Sequence, residues 1–289
     1  MNTAVTGWPL LDTIQLAHDL KFDTLEIHPM GVPEATAGQF PGFRFDALSE
    51  TQKKAIRAAL RGFPHITTHL PYNGLDYFSA DEKAAEAAVR TVDIALEGSS
   101  YFGARIAVFH PKEGKGHKDL ASQWPQMIRS IRRWGDLARR HKMQIALETG
   151  YPMSIADFVR LVKEVDHPAV GATIDVGHQG RYAELVAKVN PEDRATPAGI
   201  RAYNDATLAI IDGLGSKVIH LHVHDIDPPT WKEHLPIGTG FVDYPRLFKK
   251  LDEIRYRGSL VLEIAAPADR MRGLLADNKQ RLEKFRDIS

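Results

Sequence analysis

The sequence predicts an α/β protein: a closed (β/α)8 barrel in a single domain over residues 1–289. Short apolar runs of strand length recur along the chain, and each is followed by a stretch with helical periodicity. No Pro/Gly/Ser linker or internal repeat interrupts that alternation. The length of 289 residues suits one barrel, which typically needs roughly 250. An open doubly wound sheet would carry a Gly-rich phosphate turn after its first strand, and none is present.

Taken in order, a first short strand is expected in TAVTG (3–7). The clear strands are FDTLEIH (22–28), HITTHL (65–70), ARIAVFH (104–110), MQIALET (143–149), VGATIDV (170–176), KVIHLHVHD (217–225) and SLVLEI (259–264). Between them, stretches such as DEKAAEAAVRTVDIALEGSSYFG and ASQWPQMIRSIRRWGDLARRHK space apolar residues three and four apart, as amphipathic helices do. Strand and helix alternate to the C-terminus, which predicts a parallel sheet of right-handed βα units. The longest irregular segments, 29–46 and 225–243, are then βα loops that shape the mouth of the barrel.

Hydrophobic residues make up 43% and charged residues 26%, the profile of a soluble globular protein. Lys+Arg and Asp+Glu both number 37, so no bulk polyanion partner is implied. The absence of cysteine excludes disulfides and thiolate metal sites and agrees with a reducing cytoplasm. MNTAVTGWPLLDTIQLAHDL lacks the basic segment and apolar run of a signal peptide, and no apolar run reaches the length of a membrane span. A cytoplasmic protein with no membrane partner is expected.

The strands end on Glu26 and His28, His69, His110, Glu148, Asp175 with His178 beyond it, His222 with His224, and Glu263. Barrel closure would draw these ends to one rim. Any one of them alone is more often a hydrogen-bonded histidine or a first-turn acid than a functional group. Gathering so many ionisable groups on one apolar-walled mouth is costly unless a cation or ligand compensates, and a divalent metal is the simplest compensator. Carboxylates mixed with neutral imidazole suit Mn²⁺, Zn²⁺, Co²⁺ or Mg²⁺. In VIHLHVHDID (218–227), the strand period puts His220, His222 and His224 on one face. His222 near the rim reads as a ligand, and His220 one layer deeper as a hydrogen-bonded structural histidine. His224, beyond the rim, reads as a group that binds substrate or orients a ligand.

HVHDID followed by HLPIGTGFVDYPRLFKKLDEIRYRGSLVLEI, with THLPYN (68–73), VFHPKEG (108–114), ALETG (146–150) and DVGH (175–178), resembles the xylose isomerase-like TIM barrels over residues 22–264. That superfamily joins sugar phosphate isomerases and epimerases with endonuclease IV-type enzymes. The resemblance implies a divalent-metal-dependent isomerase or epimerase of a sugar, polyol or keto-sugar, working by proton transfer through a metal-stabilised enediolate. It implies a metal held by Glu148, Asp175, His222 and Glu263, and His178 in contact with substrate oxygens. It implies too that Glu148 and Glu263 are the acid and base on opposite faces of the substrate. A related sugar lyase or dehydratase would use the same groups.

The implied chemistry is sound. A carbon-bound proton beside a carbonyl is a poor acid, and a metal on the carbonyl and adjacent hydroxyl stabilises the charge left when it departs. One carboxylate removes the proton and the other returns it. One departure stands out. Epimerases of the tagatose/psicose kind place an arginine shortly after the metal histidine, whereas DIDPPTW (225–231) contains no basic residue. Neither sugar specificity nor a phosphate group is therefore carried over.

The competing reading is phosphodiester cleavage by an endonuclease IV-type enzyme with three zinc ions. His69 and His110 match ligands of one extra ion, and His178 and His234 match two ligands of the other. The third ligand should be an Asp two residues before His234, but Lys232 stands there, and an ammonium repels a cation. Glu233 or Asp227 would have to substitute. Only KEGKGHK (112–118) among the loops is basic, so nucleic acid is not the expected partner. A small carbohydrate-like molecule is, with Glu26, His28, Tyr72 and Trp231 as substrate contacts. Trp8, Phe43 and Phe78 also lie in or beside the mouth loops, where aromatics either stack on a sugar or cap the barrel. Barrels of this sort often pair, which leaves a homo-oligomer open.

Overall fold

The computed structural model describes residues 1–3, 8–29 and 42–288. All seven clear strand segments form strands: β1 Thr24–Ile27, β2 His65–His69, β3 Ile106–Phe109, β4 Gln144–Glu148, β5 Val170–Asp175, β6 Val218–Val223 and β7 Ser259–Leu262. They follow chain order from β1 to β7 in one sheet. The pairings β1–β2, β2–β3, β3–β4, β5–β6 and β6–β7 are parallel. Every strand is followed by at least one helix: α2 Glu50–Ala59, α3 Glu82–Tyr101, α4 Leu120–Arg140, α5 Ile155–Val165, α6 Ala183–Lys188 with α7 Pro197–Leu214, α8 Tyr244–Glu253 and α9 Ala268–Ile288. Helix α1 (Leu10–Asp19) precedes β1. This is the TIM-barrel strand order that the sequence predicts.

Most of the first strand expected at 3–7 lies outside the described residues, as does most of the 29–46 loop. Residues 1–3 do pair in parallel with β1, Asn2 opposite Glu26. Glu26 N–H donates to the Met1 carbonyl at 2.9 Å, and Thr3 N–H to the Glu26 carbonyl at 2.8 Å.

The chain falls into two compact units, Met1–Leu147 with Glu164–Gly171, and Glu148–Lys163 with Ala172–Ser289. In the first, Asp119 opens α4 as a capping box with Ser122. The helix then buries Trp124, Met127, Ile131, Trp134 and Ala138, one face at three- and four-residue spacing. Trp134 packs on Phe109 with ring centroids 5.0 Å apart, and Phe109 on Tyr77 at 4.8 Å. Burying one such ring contributes about 1.5–3 kcal/mol. Phe78 and Phe43 are buried as well, so these two cap the core. The basic 112–118 loop is tied down: Gly114 N–H donates to Gln123 Oε1 at 2.7 Å and Lys115 N–H to Asp76 Oδ2 at 3.2 Å.

In the second unit, α7 opens with Thr196 accepting from Gly199 N–H and with Pro197 in its first turn. Its buried face joins Leu185, Val189, Ile226 and Trp231 in a hydrophobic cluster through Ala202 and Tyr203. Helix α8 is capped by Asp243, which accepts from Arg246 N–H at 3.1 Å. The 226–242 loop wraps around the buried Asp225 carboxylate. Oδ1 accepts from Ile226 and Val242 N–H at 3.0 and 3.1 Å, and Oδ2 from Gly238 and Gly240 N–H at 2.8 and 2.9 Å.

Candidate metal centre

The second unit holds Glu148, Asp175, His222 and Glu263 together. Glu148 ends β4, Asp175 ends β5, His222 lies one residue from the end of β6, and Glu263 follows β7. His222 Nδ1 stands 2.6 Å from Glu148 Oε1, 2.9 Å from Glu263 Oε2 and 3.7 Å from Asp175 Oδ2. One ligand atom from each residue lies within 4.8 Å of all the others. Glu148, Asp175 and His222 are buried, and Glu263 is partly exposed.

Charge explains why such a group asks for a cation. Two carboxylates 4 Å apart repel by about 4 kcal/mol at an effective dielectric near 20, and three of them repel in three pairs. One imidazole cannot balance that. The buried Asp175 Oδ2 accepts no hydrogen bond from any described residue, an open acceptor beside the other ligands. Three carboxylate oxygens and one imidazole nitrogen fit a hard or borderline divalent ion.

The surroundings fix these side chains in place. Asp175 Oδ1 accepts from Gly177 N–H at 2.6 Å and from His224 Nε2–H at 3.0 Å. Burial alone would push the Asp175 carboxyl up, but His178 and His224 outweigh it and keep it well below the usual carboxylate range. Glu263 is likewise lowered: His222 and His234 overcome its burial. Burial opposes a charged His224, yet Asp175 lifts that ring to about 9. His220 is buried, its Nδ1 3.5 Å from Thr173 Oγ1.

Three tyrosines clamp the loops. Tyr182 Oη accepts from Gly150 N–H at 2.8 Å, while Tyr203 and Tyr244 donate to the Gly177 and His224 carbonyls at 2.5 and 2.7 Å. Burial raises all three phenols, so they stay protonated. Gly177 permits the close approach of its turn, because a Cβ there would collide with the His224 ring. Gly150 adopts φ +101°, a conformation that favours glycine.

Beside these four residues lies a second cluster of His178, Glu233 and His234. His178 Nδ1–H donates to the Thr149 carbonyl at 2.7 Å and His234 Nδ1–H to the Glu263 carbonyl at 2.9 Å. Glu233 is clasped by Arg181, Nε to Oε1 at 3.1 Å and Nη2 to Oε2 at 2.6 Å. Of the two acids that could replace the Asp missing at Lys232, Glu233 is the one in this cluster. Asp227 instead accepts from Thr230 N–H at 3.2 Å within its own turn.

Apart from Trp231, the remaining predicted residues lie in the first unit. His28 stacks on His69 at 5.4 Å, His69 meets His110 edge-on at 4.8 Å, and Tyr72 lies 4.5 Å from His110. Buried Glu26 accepts from Thr67 Oγ1 at 3.1 Å. Tyr72 is exposed. Trp231, expected as a substrate contact, is buried, with Tyr203 at 5.2 Å and the Arg194 guanidinium at 4.4 Å from its ring. Sequence reasoning missed Arg181, the loop-organising role of Asp225 and the three tyrosine clamps. Only their tertiary partners reveal them.

The fold agrees with what the comparison of sequences finds. The chain matches the family described as xylose isomerase-like TIM barrel over residues 14–284, and it belongs to that family. An uncharacterized protein of Methanocaldococcus jannaschii is 24% identical over 215 residues, 68% of this chain. The match spans 64% of that relative's length. Among solved structures, a D-psicose 3-epimerase in the presence of D-fructose is similar at a TM-score of 0.72 and 14% identity, covering 96% of this chain and 94% of the other. A xylose isomerase-like TIM barrel protein from Mycobacterium smegmatis in complex with magnesium is similar at 0.65 and 19%, covering 95% and 87%. At such identities the likeness is one of fold.

Proposed function

We propose that this chain is a single-domain, divalent-metal-dependent isomerase or epimerase of a sugar or keto-sugar. The observation that carries the reading is the convergence of Glu148, Asp175 and Glu263 on His222 Nδ1, with Asp175 Oδ2 left open. Glu148, Asp175, His222 and Glu263 would hold the ion. Bound there, it supplies Lewis-acid stabilisation of the negative charge that enolisation places on a substrate carbonyl oxygen.

The chain's own groups divide the rest. Glu148 and Glu263, from β4 and the end of β7, are the acid/base pair, one taking the carbon-bound proton and the other returning it. His224 anchors Asp175 through Nε2. His178 and His234 accept hydrogen bonds from substrate hydroxyls. No described helix is long and apolar enough to cross a membrane, and a cytoplasmic location belongs to the same proposal.

Solvent exchange tests the reading. Protein reloaded with Mn²⁺ is incubated in deuterium oxide with D-fructose, D-tagatose, 2-keto-inositol and a 3-keto-glucoside, and substrate deuterium is read by NMR. Metal-dependent incorporation into at least one is expected. A fully loaded protein that exchanges none of them would remove enolisation as its chemistry.

A further inference from the structure

His178 and His234 are prepared as ligands in the way metal histidines usually are. Each gives its Nδ1–H to a backbone carbonyl, and each turns Nε2 toward Glu233 Oε2, at 3.5 and 3.6 Å. Two imidazoles and a carboxylate are a plausible seat for a second ion on donor type alone. Charge decides otherwise. Glu233 Oε2 is already 2.6 Å from Arg181 Nη2, and Nε closes the pair at Oε1. The cluster's one carboxylate is already matched by one guanidinium, whereas the neighbouring site gathers three carboxylates around one histidine. A divalent ion on Oε2 would meet the guanidinium across a shared oxygen, and the nearest other carboxylate, Asp175 with Oδ2 3.7 Å from His178 Nε2, already belongs to the four-residue centre.

The local fold makes this arrangement. Arg181 closes the 3-10 turn His178–Arg181, so one turn delivers both the imidazole and the cation. Trp231 and His234 bracket Glu233 with φ of 58° and 64°, a backbone that non-glycine residues rarely adopt. Trp231 is fixed in the hydrophobic cluster, and the His234 ring lies 4.5 Å from that of His224. The strained segment therefore holds Glu233 at a set place. The cluster also opens outward: the Arg181 and His234 side chains are each 30% exposed.

We propose that Arg181 is the built-in cation of this cluster, which bars a second divalent ion and leaves a subsite for substrate hydroxyls. Imidazole nitrogens and Glu233 accept, and the guanidinium N–H groups not spent on Glu233 donate. That alternation suits a neutral vicinal diol, while Glu233 occupies the guanidinium fork that a phosphate would need. The proposal rests on the sugar-directed, metal-dependent reading above and narrows it to substrates unphosphorylated at this end. It also makes the centre mononuclear on this side.

The test counts metal. Full-length chain is stripped, reloaded with excess Zn²⁺, desalted and measured by plasma mass spectrometry, with circular dichroism as a check on folding. Wild type and His234→Ala are each expected to hold one ion at the second unit's centre, beyond any removed by His69→Ala. Arg181→Met, or Arg181→Gln should that variant not fold, is expected to gain one ion and to lose it again when combined with His234→Ala. An ion lost from wild type on His234→Ala, or no gain in a folded Arg181 variant, overturns the proposal. Wild type that retains no ion at all instead overturns the metal-dependent reading beneath it. Saturation-transfer NMR covers the hydroxyls: xylitol should bind Arg181→Met/His234→Ala at least about tenfold more weakly than wild type, one charged hydrogen bond being worth that much. Equal affinity, or displacement of xylitol by inorganic phosphate, sinks the hydroxyl assignment.

Discussion

At the scale of single residues, the two glutamates carry the sharpest prediction. Glu148→Gln and Glu263→Gln keep the shape of the side chain and remove its basicity, so each should slow solvent exchange by about 10²–10⁴-fold. Exchange at near wild-type rate in either variant would end the two-base mechanism. Glu148 and Glu263 were legible in the sequence because ALETG and LVLEI each end an apolar strand with an acid. Asp225 has the same signature at the end of HVHD, yet it spends its carboxylate on four backbone N–H groups. A strand-end acid looks alike in sequence whether it faces a ligand or its own loop. Arg181 was invisible for a related reason, since its partner lies 52 positions away.

At the scale of elements, the loop after β6 depends on Asp225. Asp225→Asn puts an amide donor where the loop offers donors, and should destabilise the protein by about 2–3 kcal/mol. Urea denaturation monitored by fluorescence reads that directly; a change below ~0.5 kcal/mol would deny Asp225 its organising part. Helix α5 has a smaller counterpart. Glu184 accepts from Ile155 N–H, Ala156 N–H and Ser154 Oγ at 3.0–3.2 Å. Burial would raise this carboxyl, but those hydrogen bonds hold it below 4.5. The stabilisation is therefore present above pH 4.5 and fades as the pH falls through the lowered value. Glu184→Gln should cost about 0.5–1 kcal/mol at pH 7 and progressively less in acid, as measured by thermal melts across pH 3–7. A constant difference over that range would show that charge is not what caps the helix.

For the whole molecule, the proposed metal centre predicts a link between ion binding and stability. An ion that binds only the folded chain at a hundred times its Kd adds about 2.7 kcal/mol. Chelation should lower the melting temperature, Mn²⁺ or Zn²⁺ should restore it, and Asp175→Asn should abolish the difference. Calorimetry showing the same melting point with and without chelator in the wild type would leave the carboxylate cluster without its compensating ion. The relief of carboxylate repulsion is what connects a local site to global stability here.

Residue order alone determined the succession of strands and helices, because the strands are short segments rich in Val, Ile, Leu and Thr and each helix carries an apolar stripe, both readable locally. It also marked which strands end in acids and imidazoles. Which of those groups meet was decided only by tertiary structure. Strand register brings Asp175 opposite His222, and the turn after β5 sets Arg181 against Glu233. Coulomb interaction depends on distances in space, and neighbours in sequence do not supply them.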